Sequence, residues 1–149
     1  MASELAKGET EVAVFLRFLK ASRLPIDRTS VEKRSPPEPD ILCTHQSEGA
    51  VAFELVEMCD PRLARSIAKA SDGYLRTSDP SPNIISKKLR KKYETAVPIE
   101  LLCYTAGRII TPDNLILSTI KPYLRMWRHT FSRAWLLGRK GVYVIWDAG

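Results

Sequence analysis

The chain has 149 residues, 44% of them apolar and 27% charged, which supports a packed core and excludes a disordered or disulfide-dependent chain. A net charge of +6 and a pI near 9.4 favour a polyanionic partner such as nucleic acid, because basic surfaces gain affinity by releasing counterions from phosphates. The first residues are charged where a signal peptide needs an apolar stretch, and no run approaches the roughly 18–20 apolar residues of a membrane span, so a cytoplasmic protein without a membrane partner is expected.

One domain over 1–149 is the expectation from length. In chain order, "GETEVAVFLRFLKASRL" reads as a first helix, capped by Thr10 or an earlier polar residue, with Val12, Phe15 and Phe18 or Leu19 at helical spacing and Pro25 ending it. Glu11, one turn before Phe15, borders the apolar face. "SVEKRSPPEP" holds a short edge strand near Val31 to Arg34 before its prolines stop any ladder. "DILCTH" and "AVAFELVEM", joined by "QSEG", read as antiparallel neighbours in a hairpin.

"DPRLARSIAKA" opens like a helix and "SDGYLRTSDPSPN" like a loop. "NIISKKLRKKYETA" is a helix that starts at Asn83 and buries Ile85, Leu89 and Tyr93, leaving Lys87, Lys88, Arg90 and Lys91 on its flanks. "VPIELLCYTA" is a buried strand by composition. "TPDNLILSTIKPYLRMWRHTF" is a long helix through Ile116, Ile120, Leu124 and Trp127, with Pro122 as a kink, and "AWLLGRKGVYVIWD" is a hairpin around "GRKG". Strands that alternate with helices in this way imply a mixed sheet covered on both faces.

Cys43, Cys59 and Cys103 stand singly in apolar runs, the pattern of buried thiols in a reducing compartment. Cys43, His45 and Cys59 match no closed zinc motif. "PYLRMWRHTFSRAW" mixes aromatics with arginines in a way that suits nucleic acid, but the period of Ile120, Leu124, Trp127 and Phe131 assigns that stripe to the core.

Asp40 at the start of one strand and Glu54 inside the next are the residues that need explaining. Strand alternation puts Glu54 on one face with Ala52 and Val56, where a carboxylate is poorly solvated. Two carboxylates meeting across a hairpin call for a buried arginine or lysine, a shared proton or a divalent cation, and an all-oxygen site suits magnesium or manganese. Taken alone, Asp40 also fits a turn or strand-start role and Glu54 a buried salt bridge. Glu57 fits a solvated or helix-capping role, and "KKLRKKY" a solvated helix face.

Pro39-Asp40 followed by Glu54 on the next strand, within this order of elements, resembles the PD-(D/E)XK nuclease-like superfamily of restriction and repair endonucleases. The resemblance implies an α/β fold: a mixed β-sheet flanked by helices, a restriction-endonuclease-like αβββαβ core over about residues 9–105, and a C-terminal helix and β-hairpin as an extension over 106–149. It implies a metal-dependent nuclease in which Asp40 and Glu54 bind Mg2+ or Mn2+ and Glu11 on the first helix completes the site. Where the family carries a lysine, two residues after the acid, this chain has Val56. Lys87, Lys88 and Lys91 are the candidates to replace it, because the following helix packs over the active strands in that fold. Lys87, Lys88, Arg90 and Lys91 would also bind the nucleic acid, DNA before RNA. The alternatives are an inactive nucleic-acid-binding module of the same fold, which the missing lysine favours, and an interaction protein, with a homodimer through the C-terminal helix and hairpin.

Overall fold

The structure, a computed structural model, describes residues 4–60 and 79–149. The helix expected over "DPRLARSIAKA" and most of the loop after it lie outside the described residues. What is described is a mixed α/β fold: a six-stranded sheet in the order β1-β2-β3-β4-β5-β6 and three helices. The elements are α1 (Glu4–Ser22), β1 (Ile26–Lys33), β2 (Ile41–His45), β3 (Gly49–Glu57), α2 (Ser81–Arg90), β4 (Ile99–Tyr104), α3 (Asp113–Met126), β5 (Phe131–Leu137) and β6 (Val142–Asp147). Strands β1 to β3 form an antiparallel meander, β3, β4 and β5 run parallel, and β6 returns antiparallel on β5.

Alternation along the strands sorts the core into two layers. Val51, Phe53 and Leu55 of β3, with Leu102, Tyr104, Trp135 and Leu137, pack under Val14, Phe15, Phe18 and Leu19 of α1. Phe53 lies 4.8 Å from Phe15 and 5.8 Å from Phe18 between ring centroids, so aromatic contact fastens α1 to the sheet. On the opposite face Leu101, Cys103, Ala134 and Leu136 meet Ile85 and Leu89 of α2 and Ile116, Ile120 and Leu124 of α3. Central β4 is buried along its whole length, as a strand covered on both faces must be.

Several boundaries depart from the sequence expectations. Helix α1 begins at Glu4, and Thr10 sits inside it, donating to Ala6 O at 3.1 Å. The edge strand is longer than the Val31–Arg34 expected and is irregular between Asp27 and Glu32, where Asp27 accepts from the backbone and hydroxyl of Thr29. Helix α2 starts at Ser81 rather than Asn83, with Asp79 Oδ1 accepting from Ser81 N at 3.0 Å. It ends at Arg90, so Tyr93 is not part of a helical stripe. Lys91 is extended, and the chain then crosses to the proline loop, where Glu94 N donates to Pro37 O at 3.1 Å.

Helix α3 carries Pro122 inside it and stops at Met126. Trp127, expected in the core, therefore lies past the helix end and is 37% exposed, while Ile120 and Leu124 are buried as expected. The hairpin after it is held by Asp113, whose carboxylate accepts from Arg139 N at 3.0 Å and Lys140 N at 2.9 Å. A Cβ at Gly138 would stand 2.3 Å from that carboxylate, so only glycine fits there. Among the described residues no helix is long and apolar enough to cross a membrane.

Candidate functional site

Register brings the site together from three consecutive strands. Lys33, last in β1, pairs with Ile41, first in β2, and Ile41 pairs with Phe53 of β3. Asp40, just before β2, and Glu54 are thereby adjacent. Glu54 faces the α2 side of the sheet because Phe53 and Leu55 face α1.

The backbone locks the two acids to each other. Asp40 N donates to Glu54 Oε1 at 3.1 Å, and Leu55 N donates to Asp40 Oδ2 at 2.9 Å. Each remaining carboxylate oxygen meets an ammonium: Lys88 Nζ lies 2.7 Å from Glu54 Oε2, and Lys33 Nζ lies 3.3 Å from Asp40 Oδ1. Lys33 also reaches Glu11 Oε1 at 3.1 Å, and Lys91 Nζ stands 3.9 Å from Glu54. These ammoniums balance the charge of the two carboxylates.

The two acids titrate in opposite directions. Burial, and then the neighbouring Asp40 charge, raise Glu54 above the usual glutamate range against the pull of Lys88. Burial also acts on Asp40, but the Leu55 N–H and the charges of Lys33 and Lys88 outweigh it and hold Asp40 below the usual aspartate range. Glu11 is raised by burial and then by Asp40, against Lys33. Such divergence between adjacent carboxyls is common at functional sites and also arises in structural ion-pair networks.

The group borders a cleft of about 480 Å³ between the first turns of α1, the end of β3 and the end of α2. Glu11, Asp40, Glu54, Lys88 and Lys91 line it, with Lys7 adding positive charge and the paired Arg108 and Glu57 at its edge. Glu54 itself is 2% exposed and the Lys88 side chain 21%, so the ion pair sits at the floor of the cleft.

The other expected site residues divide. Lys87 is exposed and is not among the cleft residues. Arg90 turns away, its guanidinium 5.6 Å over the Trp127 ring. Glu57 pairs with Arg108, Nε to Oε2 at 2.9 Å. Cys43 and Cys103 are buried free thiols that burial raises to about 12, and Cys59 is free and half-buried. His129 accepts from Phe131 N and bonds Leu124 O, a structural role.

Lys33 and Tyr93 were not legible as site residues in the sequence. The signal for Lys33 was present, because an antiparallel pair closing over "RSPPEPD" places the last residue of β1 beside the first of β2. Tyr93 had no such signal, since its place depends on where α2 ends. Its hydroxyl is buried and makes no hydrogen bond of good geometry among the described residues, with the Glu54 carboxylate its nearest acceptor, and burial with the nearby Glu54 charge strongly disfavours its ionisation. A buried polar group left unmatched carries a desolvation cost of about 1–3 kcal/mol. Tyr93→Phe is expected to stabilise the protein by about 1 kcal/mol, raising Tm by about 3 °C in a thermal melt. A fall in Tm would mean that the hydroxyl supports Glu54.

Among the described residues no three or more His, Cys, Asp or Glu side chains form a metal-binding group, and Glu11 is engaged by Lys33. The Asp40–Glu54 pair fits Mg2+ or Mn2+ by donor type: both are oxygen donors with a lone pair to spare, and Mg2+ commonly binds through one or two carboxylates together with water and substrate phosphate. Comparison with protein-family models, with curated proteins and with solved structures returns no match.

Proposed function

We propose that the chain is a metal-dependent nuclease of the PD-(D/E)XK type that hydrolyses phosphodiester bonds. The observation that carries the proposal is the meeting of Asp40, Glu54 and Lys88 in one cleft. The order α1-β1-β2-β3-α2-β4, with an antiparallel meander leading into a parallel β3–β4 pair, is compatible with the restriction-endonuclease-like core.

In this proposal Asp40 and Glu54 would hold the cation. Bound there, Mg2+ or Mn2+ would lower the pKa of a coordinated water and offset charge on the scissile phosphate. Lys88 stands in for the lysine replaced by Val56, its ammonium held against Glu54 and aimed into the cleft, where it adds positive charge at the reacting phosphate. Lys33 fixes the Asp40 carboxylate, and the Leu55 N–H keeps that carboxylate ionised at neutral pH. Lys7 and Lys91 offer positive charge at the rim to the nucleic-acid backbone.

One observation favours the second reading, an inactive nucleic-acid-binding module: Glu54 is almost sealed and already neutralised by Lys88. Incubating the protein with labelled DNA and RNA in Mg2+ or Mn2+ separates the two, with Asp40→Asn as the control. Cleavage that disappears in Asp40→Asn supports the nuclease. Equal products from both proteins, or binding without cleavage, defeats it.

A further inference from the structure

The edge between α2 and α3 combines features that the cleft chemistry does not use. Met126 is 82% exposed, and Trp127 next to it is 37% exposed. The Arg90 guanidinium lies 5.6 Å over the Trp127 ring, and the Tyr123 ring is 5.5 Å away at an interplanar angle of 55°. Arg90 belongs to the same helix as Lys88, so α2 has one flank in the cleft and the other on this aromatic group.

The charge around it is unbalanced. Helix α2 contains no acidic residue, and none occurs between Asp113 and Asp147. Among the described residues Arg90, Arg125 and Arg128 have no carboxylate at ion-pair distance. A second copy of this chain meeting the same face would bring cation against cation. The occupant that matches both the positive charge and the partly exposed Arg90–Trp127 stack is a polyanion that carries flat rings, because unpaired bases stack on aromatic side chains and on guanidinium planes while phosphates take up the charge.

We infer that the Arg90–Trp127 pair is a stacking site for an unpaired base of a nucleic-acid strand. The inference rests on the nucleic-acid part of the proposed function and is independent of cleavage. It predicts a preference for single strands, since a base held in a duplex offers no free face.

The test is fluorescence anisotropy of a short fluorescein-labelled single strand and its duplex, in EDTA so that no metal-dependent cleavage intervenes. Trp127→Ala is expected to weaken single-strand binding by about tenfold or more, and Trp127→Phe, which keeps a ring, by less than about threefold. Duplex binding should change by less than about threefold in either variant. Quenching of tryptophan fluorescence by the strand should be largely lost in Trp127→Ala. Unchanged single-strand affinity in Trp127→Ala would overturn the inference, as would an equal loss on duplex or a concentration-dependent dimer that the substitution abolishes. Matching melting curves for wild type and Trp127→Phe control for folding. If the strand binds and Trp127→Ala loses it, while wild type cleaves nothing in Mg2+ or Mn2+, the stacking site stands and the nuclease proposal fails.

Discussion

Lys88→Met is expected to destabilise the protein by about 3 kcal/mol at pH 7, because removing one member of a buried ion pair leaves the other as an uncompensated buried charge. Glu54 is that charge, 2% exposed, and the other nearby ammonium, Lys91, is 3.9 Å away. The deficit should depend on pH. Glu54 is raised in the folded state, so it favours folding below its unfolded value, the ordinary glutamate value of 4.5, and that contribution fades as pH climbs through the folded value. Without Lys88 the folded value rises further, and the fading extends to higher pH. Wild type and Lys88→Met should therefore approach equal stability near pH 4 and separate steadily toward pH 7. Urea unfolding across that range measures it, and a gap that stays constant with pH would show that Lys88 acts through packing. Adding Glu54→Gln to Lys88→Met should recover most of the loss, since no charge is then buried.

Under the proposed nuclease function, Asp40→Asn has the largest expected effect, a loss of more than about 100-fold in cleavage, beyond what is typical for the groups that merely support a metal ligand. The substitution keeps an oxygen for the Leu55 N–H, held at 2.9 Å in the wild type, and removes the charge. Lys33 then retains Glu11 as its partner, so the fold should survive. Asp40 is lowered in the folded state, and the stability it contributes is present above the unfolded value of 3.8 and lost as pH falls through the folded one. Asp40→Asn should remove that acid-side dependence. Product formation under single-turnover conditions, set beside a urea curve for the same protein, is the measurement. Full cleavage by the folded variant would exclude Asp40 from the chemistry.

Much of this arrangement was readable because strand alternation is a strict two-residue rule. "AVAFELVEM" had to divide Phe53 and Leu55 from Glu54, and the hairpin at "QSEG" brought Asp40 back toward it, with the exact register supplied by the structure. Helix ends were less readable. The stripe Ile85, Leu89, Tyr93 has perfect spacing, yet α2 stops at Arg90 with no glycine to mark the end, and the chain leaves to bond Pro37. Trp127 was misplaced for the same reason: its spacing from Ile120 and Leu124 describes a helix that ends one residue before it. Choosing among Lys87, Lys88 and Lys91 needed the rotation of α2 over the sheet, which depends on side chains from β4 and α3. The pairing of β1 with β2 puts Lys33 near Asp40, but its second partner, Glu11 on α1, is a contact that no local pattern carries.

The two outer strands leave the sheet with unequal margins. Strand β1 is interrupted near Asp27 and bears Arg28, Glu32 and Lys33 along its length, features that discourage another chain from extending a ladder. Strand β6, "VYVIWD", has no charge before Asp147, and Val144 is 49% exposed. Among the described residues no strand pairs with its outer side. Of the two margins, the C-terminal one is the less protected against strand addition. If copies associate in this way, hydrogen exchange over a concentration series should show protection that grows across Val142–Asp147 and stays constant across Ile26–Lys33.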